Sequence, residues 1–145
     1  MPIDTSLEFV PINIAVITIS DSRTKENDTS GDTLEKRIID AGHQMIKRTI
    51  IPDDVSKIKD TLNAMSKEKD IDCIITTGGT GLTGRDTTPE AVKEIANKHI
   101  DGFGELFRQV SFEKIGTSAI QSRAVAALIN STYVFCLPGS TGACK

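Results

Sequence analysis

The 145-residue sequence predicts an α/β fold of three layers, a mostly parallel sheet with helices on both faces. Three observations carry that expectation. Apolar runs rich in β-branched residues alternate with amphipathic stretches, strand–helix–strand–helix–strand–helix. The first and last runs, 11–20 and 132–137, are apolar on both faces, which suits strands covered on two sides. Polar or glycine-rich turns close the runs, at Ser20-Asp21-Ser22, Pro52-Asp53-Asp54, Thr77-Gly78-Gly79 and Pro138-Gly139-Ser140. The length fits a single domain, 1–145, with a sizeable core.

Residues 1–10 read as a loose leader available to an oligomer contact. Residues 11–20 form the first strand. Thr29-Ser30-Gly31 opens a helix whose apolar positions Leu34, Ile38 and Ala41 recur at helical spacing, and Gly42 stops it. Residues 44–51 make a second, weaker strand. Asp54 then N-caps a helix with Val55, Ile58, Leu62 and Met65 on one face. The third strand covers 71–75. Thr88-Pro89-Glu90 starts the next helix, with Thr88 as cap and Pro89 in the first turn, and it runs to about Lys98. Residues 101–108 suggest a turn leading into a short helix packed by Phe103, Leu106 and Phe107. A small-residue loop, 115–123, precedes a helical run over 124–128. Residues 132–137 are the last strand.

A formal charge of −3 gives no global attraction to nucleic acid or membrane surfaces. No apolar run is long enough to span a bilayer, and the N-terminus lacks a basic stretch followed by an apolar one. Three cysteines, at 73, 136 and 144, have no metal-site spacing; Cys73 and Cys136 sit in apolar runs where a reduced thiol is ordinary. The expected compartment is the cytoplasm.

Chemistry concentrates in Thr76-Thr77-Gly78-Gly79-Thr80-Gly81-Leu82-Thr83-Gly84-Arg85-Asp86, between a strand and a helix start. Such a loop exposes backbone N–H groups with few side chains in the way, which suits phosphate. Gly79, Gly81 and Gly84 fit a dinucleotide fingerprint, but the helix begins after the motif, the loop follows the third strand, and no acidic strand end follows. A Walker A loop is excluded because no Gly-Lys-Ser/Thr occurs. If the strands are parallel, the four turns converge at one sheet edge, where α/β sheets bind ligands. Carboxylates beside phosphates need a cation between them, and Mg²⁺ held by Asp53 and Asp86 meets that need. Asp53 is alternatively a second cap beside Asp54. Arg85, Arg108 and Arg123 can pair with phosphate or form surface salt bridges. His43 and His99 receive no role.

Thr77-Gly78-Gly79-Thr80-Gly81, Arg85-Asp86 and Thr88-Pro89-Glu90 together resemble the signature of the molybdenum cofactor biosynthesis proteins of the MoaB/Mog type, which are related to the gephyrin G domain. The resemblance extends through Gly102-Phe103-Gly104-Glu105, Phe107-Arg108, Ser122-Arg123 and Leu137-Pro138-Gly139-Ser140. It implies a Rossmann-like molybdopterin-binding domain that forms a homo-oligomer, a trimer or a hexamer. It also implies adenylylation of molybdopterin by ATP with Mg²⁺, releasing pyrophosphate. The implied catalytic and metal-binding residues are Asp53 and Asp86. The implied ligand-binding residues are Ser20, Asp21, Ser22, Thr77, Gly78, Gly79, Thr80, Gly81, Ser122, Arg123, Pro138, Gly139 and Ser140. The alternative is a protein that binds or delivers the pterin without catalysis. A third reading, unrelated nucleotide chemistry on the same fold, rests on fold alone. The family normally continues past Ala143-Cys144 into a final helix, so the last strand is expected to lack part of its cover and to favour association.

Overall fold

The computed structural model describes residues 2–145. It sets the apolar run of β1 (Asn13–Ile19) between β2 (Gln44–Ile51) and β3 (Cys73–Thr77), both parallel to it. β3 pairs in parallel with β6 (Thr132–Leu137), and the six-stranded order is completed on that side by β5 (Val125–Ile129) and β4 (Lys98–His99), in antiparallel pairs. The sheet is therefore mixed, with β2, β1, β3 and β6 parallel.

Because side chains alternate along a strand, β1 feeds both faces. Ala15, Ile17 and Ile19 join Ile74, Val134 and Cys136 in a core closed by Ile58, Leu62 and Met65 of α2 (Val55–Met65) and Ala91 and Val92 of α3 (Thr88–Ile95). Ile14 and Val16 point the other way, with Cys73, to meet Leu34 and Ile38 of α1 (Thr29–Asp40). Phe135 and Leu137 of β6 face this second core. Cys144, from a 3₁₀ turn over Thr141–Cys144, packs into it, and Phe103 of α4 (Asp101–Ile115) meets Phe135 edge-on at 5.1 Å. Tyr133, one pleat earlier, remains about half exposed. All three thiols are free, and burial pushes Cys73 up to about 12 and Cys136 up to about 11, so both stay protonated and inert.

α1 begins on a buried charge. Asp28 caps it by accepting from Gly31 N, and also accepts from Thr18 Oγ1 at 2.7 Å and Arg48 Nη2 at 3.0 Å, with its side chain 1% exposed. Asp54 caps α2 by accepting from Lys57 N.

Several expected boundaries moved. β3 lies two residues later than expected, at 73–77. α3 is preceded by Thr87, and Thr88 is instead its first residue, with its hydroxyl donating to Gly78 O. α3 stops at Ile95 because Asn97 leaves the helix for the sheet: its N–H donates to Leu128 O and its side chain accepts from Asn130 N. The turn expected at 101–104 is already helix. Gly102 and Gly104 are tolerated inside α4, and a Cβ at Gly104 would lie 2.8 Å from Ala124 O, so that glycine permits α4 to approach the chain entering β5.

The expected helix over 124–128 is overturned, since Val125–Ile129 form β5. Its alanines favour helix locally, but Asn130 (φ 49°) and Ser131 (φ 70°) make a two-residue hairpin turn with both residues left-handed. That turn places β5 antiparallel to β6, and pairing outweighs local propensity.

Among the described residues, no helix is long and apolar enough to cross a membrane.

Candidate functional site

The parallel strands β2, β1, β3 and β6 end at one edge, and a cavity of about 670 Å³ opens there. It gathers most of the expected residues: Ser20 after β1; Asp53 after β2; Thr77, Gly78, Gly79, Thr80, Gly81 and Asp86 after β3; Pro138, Gly139 and Ser140 after β6; and Ser122 beyond α4. Asp21, Ser22 and Arg123 are not among its lining residues.

The strand ends are tied together by hydrogen bonds to carbonyls at and just after the end of β6. Gly78 N donates to Leu137 O, Thr77 Oγ1 donates to Pro138 O, and Ser30 Oγ donates to Gly139 O. Gly78 has φ 104°, and a Cβ there would stand 2.1 Å from Ile19 O, so only glycine lets β1 and β3 converge this closely. Gly78→Ala is therefore expected to destabilise the fold by at least about 3 kcal/mol, combining a left-handed alanine with a backbone clash. Urea denaturation checks this, and a midpoint near that of the parent would show that β1 can move aside.

Asp53 and Asp86 flank the glycine loop. A Cβ on Gly79 would lie 3.1 Å from Asp53 Oδ1, and one on Gly81 would lie 2.6 Å from Asp86 Oδ2. Their environments differ. Burial pushes the Asp53 carboxyl above its ordinary range, and the negative charges of Asp21 and Asp86 push it further, against a backbone N–H from Asp21 and the charge of Arg85. The Thr83 hydroxyl, donating to Asp86 Oδ2 at 2.6 Å, holds the Asp86 carboxyl below the ordinary range, with Thr83 N donating as well. Asp53 is not a cap, since Asp54 does that work and the Asp53 N–H donates to Asp21 Oδ1.

Among the described residues, no group of three or more His, Cys, Asp or Glu is assembled as a metal site. The pair Asp53 and Asp86 nonetheless suits Mg²⁺, which takes one or two carboxylates and completes its shell with water and phosphate oxygens. An ionised Asp53 with excess negative charge around it is the arrangement such a cation would relieve.

Of the three arginines open to phosphate or to salt bridges, none lines the cavity. Arg85 holds Asp21 through Nε and Nη2, both at 2.9 Å. Arg108 donates to Ser122 O. Arg123 donates to Thr80 O, Gly81 O and Asp86 O and pairs with Glu90. The cations lining the cavity are Arg23 and Lys114. Arg23 stands directly after the Ser-Asp-Ser turn, where its position beside Ser22 was a signal. Lys114 gave none, because it depends on α4 running a full 15 residues. Phe107 and Ile115 of the same helix give the cavity an apolar side, with Ser111 between them.

The family model described as "Probable molybdopterin binding domain" matches residues 15–145. The chain is 44% identical over 140 residues to molybdenum cofactor biosynthesis protein B of Escherichia coli K12, covering 97% of this chain and 82% of that one. It is 40% identical over 141 residues to a protein of Methanocaldococcus jannaschii named probable molybdopterin adenylyltransferase, covering 92% and 83%. A crystal structure of molybdenum cofactor biosynthesis protein B superposes with a TM-score of 0.90 at 43% identity, covering 93% of this chain and 84% of that one.

Proposed function

The chain belongs to the molybdopterin-binding domain family of molybdenum cofactor biosynthesis, and from that premise we propose that it is a molybdopterin adenylyltransferase. The observation that supports this reading best is the pairing of Asp53 and Asp86 across a glycine loop at the convergence of four strand ends. In the reaction, an oxygen of the terminal phosphate of molybdopterin bonds to the α-phosphorus of ATP. The bond from that phosphorus to the bridging oxygen breaks, and pyrophosphate leaves with the electron pair.

No protein nucleophile is required; the work is positioning and charge neutralisation. Bound between Asp53 and Asp86, Mg²⁺ would supply positive charge to the reacting phosphates. The N–H groups of Gly79 and Thr80, which have no acceptor among the described residues, are assigned to the same anions. Ser20, which accepts from Ser22 N and Arg23 N, shapes the β1–α1 turn, and Ser140 does the same after β6 by accepting from Ala143 N. Phe107 and Ile115 offer an apolar surface for a planar ring system. The experiment is incubation with molybdopterin, ATP and magnesium, followed by assay of pyrophosphate and adenylylated pterin. Tight pterin binding with no pyrophosphate above background would favour the non-catalytic reading.

Arg23 and Lys114 are assigned to the nucleotide phosphates. Arg23→Gln combined with Lys114→Gln is expected to raise the KM for ATP by about tenfold or more, with kcat changed much less, because two long-reaching charges act on ground and transition states alike. An unchanged KM would remove both from the binding site. A homo-oligomer is also proposed, supported by the exposed Leu106, Val110 and Phe112 on α4. Sedimentation tests it, and a monomer at micromolar concentration would oppose it.

A further inference from the structure

Every carbonyl in the working part of the glycine loop is taken up from behind. Gly78 O accepts from Thr88 Oγ1 at 3.1 Å, and Gly79 O accepts from Thr88 N at 2.9 Å. Thr80 O and Gly81 O both accept from Arg123 Nε, at 3.3 and 2.9 Å, and Asp86 O accepts from Arg123 Nη2 at 3.0 Å. Thr88 is fully buried, and Arg123 lies outside the cavity lining, so these five carbonyls turn away from the ligand space.

The amides are left in the opposite condition. Among the described residues, no acceptor receives the N–H of Gly79 or Thr80, although both residues are buried and line the cavity. A buried N–H without a partner is costly, and a loop that keeps two of them beside a cavity is arranged for an acceptor that arrives with a ligand. A peptide plane carries its carbonyl opposite its N–H. Fixing the carbonyl of Gly78 therefore aims the N–H of Gly79, and fixing that of Gly79 aims the N–H of Thr80.

We propose that Arg123 is a positioning residue, acting with Thr88 to hold the loop carbonyls back, so that the loop presents N–H groups and the Asp86 carboxylate to an anionic ligand. One guanidinium reaches the carbonyls on both sides of the loop's outer excursion, Thr80 and Gly81 before it and Asp86 after it. It thus closes the span Leu82–Arg85 into a fixed loop. Glu90, in the first turn of α3, pairs with Nη1. Lysine keeps the charge but has a single ammonium in place of a planar fork, so it cannot serve three carbonyls and Glu90 together. The inference rests on the anion reading of the cavity and does not depend on adenylyl transfer.

The test titrates inorganic pyrophosphate with magnesium into the wild-type chain, Arg123→Lys and Glu90→Gln. It is run by calorimetry well below each melting temperature, with amide resonances followed by NMR. In the wild type, the Gly79 and Thr80 amides are expected to shift downfield on binding. In Arg123→Lys, affinity is expected to fall at least about tenfold, the loss of one or two charge-assisted hydrogen bonds from the loop's scaffold, and the amide resonances of Gly81 and Leu82, whose peptide planes carry the Thr80 and Gly81 carbonyls, to move. Glu90→Gln, which leaves the three carbonyl contacts in place, is expected to bind within a few-fold of wild type. A folded Arg123→Lys that binds as tightly as wild type, with the same amide shifts, overturns the positioning role and shows Arg123 to be a stability element only. A wild type that binds no pyrophosphate overturns the anion reading and this inference with it. Intact pyrophosphate binding without adenylyl transfer defeats the proposed reaction alone.

Discussion

Asp53→Asn is expected to lower kcat/KM for adenylyl transfer by at least about 100-fold and, at neutral pH, to raise the melting temperature. The two effects share one cause. Burial, together with Asp21 and Asp86, holds the Asp53 carboxyl above its ordinary range, so the folded protein binds this proton more tightly than the unfolded chain does. Ionising Asp53 therefore costs stability as pH rises through the window from the ordinary carboxylate value to the raised one. The amide removes that cost along with the charge that attracts a cation. The melting advantage of the variant should shrink as pH falls and vanish below the ordinary carboxylate range. Asp86→Asn is expected to lose activity to a similar degree but to melt slightly lower, because its carboxylate is stabilised by Thr83. A calorimetric pH series on both variants beside pyrophosphate release decides. If Asp53→Asn were as active as the parent, or destabilised at pH 7, the electrostatic account of the site would be lost.

Asp28→Ala is expected to destabilise the fold by about 3 kcal/mol or more, the scale for removing one partner of a buried ion pair. Burial alone would raise the Asp28 carboxyl, but the Thr18 hydroxyl, the Arg48 guanidinium and the Gly31 N–H outweigh it and hold the carboxyl below its ordinary range. Arg48 is in turn held more firmly protonated by Asp28, Asp32 and Glu35, against its own desolvation. The stability that Asp28 contributes is complete above the ordinary carboxylate range and is lost as pH falls through its depressed value. Acid denaturation should thus begin at a higher pH in the parent than in a variant of equal starting stability that lacks this carboxylate. Adding Arg48→Met should recover part of the loss at neutral pH, since it removes the charge left unpaired. Urea midpoints of the two single variants and the double variant test this, and strictly additive losses would show that the pair is not coupled.

The apolar runs of β1, β2 and β6 were legible because each is long, β-branched or aromatic, and closed by proline, glycine or a polar turn. The caps of α1 and α2 were partly legible. Asp54 was readable from its place before an amphipathic run, whereas Asp28 was not, because its role depends on Thr18 and Arg48 across the sheet. β5 was not legible. Its alanines carry no strand signal, and only the left-handed turn at Asn130-Ser131 and the ladder with β6 make it a strand. β4 has two residues and exists solely as a partner of β5.

At the site, the sequence by itself determined which residue types are present and that they follow strand ends. A glycine loop, two carboxylates and the serine turns are local features, and the parallel α/β pattern places them at one edge. Only the tertiary structure decided how the charges are divided among them. Arg85, Arg108 and Arg123 looked equivalent as phosphate partners, yet none of the three lines the cavity, while Lys114 and Arg23, the latter also donating to Asn27 O, do. Asp53 and Asp86 looked like a matched pair, yet one is raised by burial and like charge and the other lowered by Thr83. The physical reason is range. A strand, a cap or a turn is set by neighbours a few residues away, but the state of a charge depends on whatever the fold brings within a few ångströms. For Arg123 that neighbourhood is a loop some forty residues earlier in the chain.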